Sequence, residues 1–357
     1  VLFGYPIAAT QNNWLHECLC EAVKAIHVAI DEGNGYAGWP NVLPEKHRDN
    51  LKRRTGLRDR LRAYDQALRL LPKEQRDLLI EALDGQNRVA DLLAGNFDCL
   101  MLGHLPESVR APVSGLFLFA FELLSDLGIR DQQYETIYFA TSDHVCPFCG
   151  TELFDAPGAP REDLDHYLTK KHYSFAAANL RNLVPMGQKC NSRYKLASDL
   201  LRREDGSRRV AFDPYQPQKL DVSLDESDPF GGATANTPRW DVQFTPETPA
   251  VSTWDDVFAI RERYRRDHLD PDYAKWLRLF ARWVQIMGLP TDTDDALVRA
   301  LQRYEENWAE GGVHDRAFLK AAVFRMLRRH CEAGHERLKE QLRNLVYPPM
   351  AAAEAAK

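Results

Sequence analysis

The sequence lacks a long hydrophobic run. Its most apolar stretch, Val113 to Leu124, covers barely half of a bilayer span and carries Glu122, so no segment reads as a transmembrane helix and no membrane partner is expected. Cysteine is too sparse, and odd in number, for a disulfide scaffold: the seven residues stand at 18, 20, 99, 146, 149, 190 and 331. One tight Cys-x-x-Cys pair in such a set fits metal binding in a reducing compartment better than crosslinking. No secretory pattern opens the chain at Val1, and a cytoplasmic location is the expectation. Positive charge is not in excess either. The chain has 46 Lys and Arg against 52 Asp and Glu, for a net charge of −6. That excludes a surface coated in cations, although phosphate contact depends on local fields rather than on the total.

What is present is an ordinary globular composition. The 357 residues are 44% apolar and 27% charged, enough for two or more packed units. Residues 1–135 read as helical: Leu15, Leu19, Val23, Ile26 and Ile30 recur at spacings of three and four. Similar patterns run over 45–71, 73–94 and 107–127. Tyr138 to Cys146 has strand-like composition, and a helix is expected from Asn191 to about Arg203. Short strands are expected near 209–213 and 240–244 within a Pro- and Gly-rich stretch. Helical periodicity returns at Trp254 and continues to about Tyr347, with breaks near Gly288 and Gly311. The tail from Ala351 to Lys357 is expected to fray. The fold class expected is α+β, mostly α-helical: an N-terminal helical region (1–135), a small α+β module (136–210), and a loop-rich segment leading into a C-terminal helical region (211–350).

Four features follow one another within 50 residues of this module. They are Cys146-Pro-Phe-Cys149, then Asp165-His166, then Asn182-Leu-Val-Pro185, and finally Cys190-Asn191 with Lys195. In that order they resemble the HNH (ββα-metal) endonucleases, whose common form reads Cys-x-x-Cys, Asp-His, Asn-Leu-Val-Pro, Cys-x-x-Cys-Asn. The resemblance covers about 50 residues of the 357. It implies two strands bearing the Asp-His pair and the middle Asn, followed by a helix.

The resemblance also assigns roles. His166 is the general base, suited by a pKa near working pH. Asp165 and Asn191 supply oxygen ligands to one Mg²⁺ or Mn²⁺, and Asn182 holds the loop and orients His166. Neighbours on a strand point to opposite faces, so Asp165 and His166 converge on one phosphate only where the strand is distorted. Two departures stand out. Gly187 replaces the first cysteine of the second pair, leaving Cys146, Cys149 and Cys190 for a structural Zn²⁺ that normally takes four ligands, with His144 or water as the fourth. Thr169 stands where a proline is common.

Local charge fits a phosphate-bearing partner, DNA. Between Asp165 and Val210 there are ten Lys or Arg against four Asp or Glu. Lys170, Lys171, Arg181, Lys189, Arg193 and Lys195 are the expected nucleic-acid contacts. By analogy with the family, an effector of restriction or antiphage defence beside an ATPase or sensor subunit is implied. The alternative from another class is a catalytically inactive zinc-knuckle binder of nucleic acid, or a scaffold subunit of a larger complex. Other groupings read as structural. Cys18 and Cys20 with His16 are expected to be buried or incidental thiols, His330-Cys331 with His335 a helix surface, and His172 a solvated loop residue. The run Arg261, Arg263, Arg265, Arg266 reads as a solvated face. Trp254, Phe258, Trp276, Phe280, Trp283, Phe117, Phe119 and Phe121 read as core.

Overall fold

Helices dominate the computed structural model, which describes residues 2–159, 164–217, 219–234 and 236–348; strands are few and short. The tail at 351–357 lies outside the described residues. Contacts divide the chain into two units, one of Phe3–Phe148 and Leu153–Gln218, the other of Leu2, Cys149–Glu152 and Lys219 onward.

The first unit begins with helices α1 (Trp14–Asp31), α2 (Glu45–Leu51), α3 (Thr55–Arg69), α4 (Lys73–Gln86) and α5 (Val89–Leu93). Leu15, Leu19, Val23 and Ile26 of α1 are buried along one face, as their spacing requires. Helix α6 (Glu107–Asp126) is long and apolar enough to cross a membrane by length and composition. Here it buries Val109, Val113, Leu116, Phe117, Ala120, Leu123 and Leu124 in the core, against α3. Helix α7 (Ile129–Ala140) takes the first three residues of the strand expected over Tyr138 to Cys146, and the rest is irregular apart from a single bridge between Val145 and Leu153. Its Ile129, Gln133, Tyr134 and Ile137 recur at helical spacing and are buried, so packing outweighs the β-propensity of its aromatic and branched residues.

Strands β1 (Leu164–His166) and β2 (Leu183–Pro185) pair antiparallel, with Asp165 opposite Val184 and His166 opposite Leu183. Leu164, Phe175, Ala177, Ala178, Leu180 and Leu183 join the same core as the N-terminal helices. The helix expected over 191–203 is cut to a single π-helical turn, Cys190–Lys195, because Leu196 takes φ 48° and turns the chain away. Residues 209–213 form no strand; the one ladder contact nearby joins Arg202 and Arg208.

The second unit carries a hairpin of β3 (Asp221–Ser223) and β4 (Gln243–Thr245). Helices α8 (Pro249–Phe258), α9 (Ile260–Arg263), α10 (Asp270–Met287), α11 (Asp294–Ala309), α12 (Ala317–Glu332) and α13 (Glu336–Val346) follow. Gly288, in the left-handed region, ends α10, and Gly311-Gly312 separates α11 from α12. Phe280, Tyr304 and Phe324 form an aromatic knot with ring centroids 4.6 to 5.4 Å apart.

Candidate active site

The polar residues of 164–195 are held by buried hydrogen bonds rather than by long secondary structure. Asn182 is fully buried at the entry to β2. Its Oδ1 accepts the Leu168 N–H at 2.6 Å, while Nδ2 donates to the carbonyls of Leu168 (3.1 Å) and Ala176 (3.2 Å). The Tyr167 N–H donates to the Asn182 carbonyl. One amide thus closes both ends of the loop that leaves β1, using most of its hydrogen-bonding capacity.

His166 is nearly sealed. Its Nε2 lies 3.0 Å from the Ala177 carbonyl, which can only accept, so Nε2 carries the proton and Nδ1 the lone pair. Burial, then the charges of Lys170 and Lys195, push its pKa down to about 3; the hydrogen bond to Ala177 opposes this, and Arg130 adds a smaller depression. The imidazole is therefore neutral at neutral pH, and its pKa lies well below the near-working value expected from the sequence, because the ring is buried beside cations.

Lys195 overturns one expectation. It was expected on the nucleic-acid surface, but it is 1% exposed, and its ammonium donates to the His166 carbonyl at 2.7 Å. The same nitrogen lies 2.8 Å from Asp165 Oδ2. That ion pair lacks the alignment of a hydrogen bond, and Asp165 Oδ2 is left buried without one. Asn191 sits half-buried in the turn that ends at Lys195.

The other expected cations separate by exposure. Lys170, Lys171, Lys189 and Arg193 are exposed. Arg181 is half-buried, ion-paired with Asp213 at 2.5 Å and set over the Tyr215 ring. It braces the loop more than it faces solvent. His172, read from sequence as a solvated loop residue, instead has Nδ1 3.3 Å from Asp199, which also accepts from the Tyr173 hydroxyl. Phe121, read as core, is half-buried against His166 with ring centroids 4.3 Å apart. Neither partner has a local sequence signal, because Asp199 and Phe121 lie 27 and 45 residues from the histidines they touch.

The sulfurs of Cys146, Cys149 and Cys190 all lie within 4.8 Å of one another, and all three residues are buried. Three thiols at that spacing suit one tetrahedral Zn²⁺ with short metal–sulfur bonds. His144 does not join them: among the described residues no other His, Asp or Glu enters the group, and the His144 ring lies flat on Tyr138 with centroids 3.8 Å apart.

The remaining groupings are structural. Cys18 is buried in the helical core, and His16 Nε2 meets Cys20 Sγ at 3.4 Å. Burial raises both thiols to about 12. Arg261 pairs with Glu247 and Asp255, and Arg266 with Glu262 and Asp267. Arg263 departs from the solvated-face reading, being 4% exposed and paired with Glu152.

Comparison with family models, with curated proteins and with solved structures finds no match to this chain.

Proposed function

We propose that residues 136–210 form an HNH-type, ββα-metal nuclease module that hydrolyses phosphodiester bonds in DNA. The observation that carries this reading is the joining of Asp165 and His166 on β1 to the Cys190–Lys195 turn through Lys195, with Asn182 closing the intervening loop. A buried, under-coordinated carboxylate oxygen on Asp165 and the amide oxygen of Asn191 are hard donors of the kind Mg²⁺ or Mn²⁺ takes. Bound there, the ion supplies Lewis-acid stabilisation of charge on the phosphate. His166, neutral and held by Ala177, takes the proton of the attacking water at Nδ1. Lys195 fixes the strand carbonyl and the Asp165 carboxylate in one place. Lys170, Lys171, Lys189 and Arg193 are the exposed cations offered to the phosphate backbone. The cysteine trio holds a structural Zn²⁺. A cytoplasmic defence or restriction effector working beside an ATPase or sensor subunit belongs to the same proposal and rests on the motif resemblance alone.

One observation favours a second reading, nucleic-acid binding without cleavage: the carboxylate assigned to the ion is already paired with a buried lysine. Supercoiled plasmid with Mg²⁺ or Mn²⁺ separates the two. The nuclease reading expects nicking or linearisation that disappears with EDTA and falls by about 100-fold or more in His166→Ala, the loss expected for a general base. Retardation of plasmid with no cutting supports the binder instead.

A further inference from the structure

We propose that helices α6 and α7 complete this active site. Phe121 seats the His166 ring, and Arg130 together with Lys170 receives the nucleic-acid phosphate on which His166 acts. The inference rests on the nuclease reading of the same site, and it makes the N-terminal helices part of the catalytic surface instead of a frame around it.

Three side chains from separate parts of the chain meet at one ring. The Phe121 centroid lies 4.3 Å from that of His166. The Arg130 guanidinium stands 4.6 Å from the centroid of Phe121, and the Lys170 ammonium 5.9 Å from it. Gly128, at φ 69°, makes the tight turn between α6 and α7 that returns Arg130 beside Phe121. The Arg130 Nη1 also donates to Ser125 Oγ at 3.0 Å, which orients the guanidinium.

The direction of Phe121 matters. Phe117, one turn earlier on α6, is fully buried and stacks edge-on against Phe175 in the core. Phe121 is half-buried at the edge of that core, with its ring also against a histidine and two cations. A cation–π contact stabilises a guanidinium or ammonium over such a ring and accounts for this part of the arrangement as packing. Both cations stand beside the one imidazole that the nuclease reading sets against a phosphodiester. A planar guanidinium and a flexible ammonium at one edge form a two-part clamp for a phosphate oxygen pair, the arginine giving direction and the lysine giving charge.

The test uses the full chain and a DNA duplex of about 30 base pairs in Ca²⁺, with plasmid cleavage in Mg²⁺ measured in parallel. Each phosphate-neutralising cation contributes about 0.9 to the slope of log binding constant against log salt. Arg130→Gln and Lys170→Gln are each expected to lower that slope by about one. Arg130→Gln should also slow cleavage by about ten-fold, with partial rescue in Arg130→Lys. A purely structural arginine changes the melting temperature and leaves the salt slope alone. Lys170 is exposed, so Lys170→Gln still reads the clamp if Arg130→Gln folds poorly. Unchanged slopes in both variants, beside a wild type that binds and cuts, overturn the clamp while leaving the nuclease reading intact. Lowered slopes with no cutting by any variant uphold the phosphate contacts and remove the nuclease. A wild type that neither binds nor cuts overturns both.

Discussion

Lys195 in the first unit and Lys320 and Lys339 in the second are all nearly sealed from water, but their partners differ. Lys320 pairs with Asp315, and Lys339 with Asp294 and Glu336, carboxylates that are 50 to 76% exposed. These lysines lay their methylene stems on packed helices and deliver their charge to the surface, where water screens it. Lys195 is 1% exposed, and its partners are a 20%-exposed Asp165 and a strand carbonyl. Its charge is compensated almost entirely by protein. The second unit uses buried lysine to tack helices together. The first uses it to set the electrostatics of a small polar site.

The cysteine trio, set against the isolated Cys331, predicts the largest effect. Elemental analysis of the purified wild-type protein should find about one zinc per chain, and Cys190→Ser should reduce that to near zero. Cys331→Ser removes an equally buried thiol and should leave the zinc content unchanged. Wild-type protein purified without chelator and free of zinc would end the structural-zinc assignment.

The lysine contrast comes next. In Lys195→Met the Asp165 carboxylate loses its buried counter-charge, and removing one partner of such a pair costs about 3 kcal/mol. Lys339→Met should cost much less, because solvent reaches both of its carboxylate partners. Urea unfolding followed by far-ultraviolet circular dichroism compares the two. Adding Asp165→Asn to Lys195→Met should recover a large part of the loss, since the penalty lies in the stranded charge. Equal losses for the two lysines would erase the distinction drawn between the units.

The same pair shows what was legible in the sequence. The mostly helical α+β class, the one-faced pattern of α1 and the breaks at Gly288 and Gly311 all follow from spacing along a single element. Asp165-His166 and Asn182 could be located because their motif is local in sequence. Lys195 was misplaced because one element's periodicity cannot show a partner on another strand. The helix expected to run past it to Arg203 stops where Leu196 adopts a positive φ, a conformation that no helix propensity forecasts for leucine. Phe121 and Phe117 lie four residues apart and read alike as core residues. Only the fold turns one of them to His166 and the other to Phe175.

A third contrast lies within the first unit and predicts a pH-dependent effect that is absent at neutral pH. Lys195 is buried beside a carboxylate, whereas His16 and His27 are buried beside neutral partners: Cys20 for the first and the Tyr64 hydroxyl for the second. Burial lowers each histidine to about 4; an Asn87 hydrogen bond opposes the shift at His16, and Asp31 opposes it at His27. An unfolded histidine titrates near 6.5, so between about pH 6.5 and 4 the unfolded chain binds protons that the folded chain refuses. The stability these residues contribute is complete above the unfolded pKa and is lost as pH falls through that window. For His27 the full loss is of order 3 kcal/mol and is reached only near pH 4; at neutral pH, where the Lys195 penalty applies in full, there is none. His27→Gln keeps a hydrogen-bonding group for Tyr64 but cannot titrate, so its urea midpoint should fall less steeply than that of the wild type from pH 6.5 to 4. Parallel curves for the two proteins would mean that water reaches His27 in the folded state, and the first unit would then seal charge no more tightly than the second.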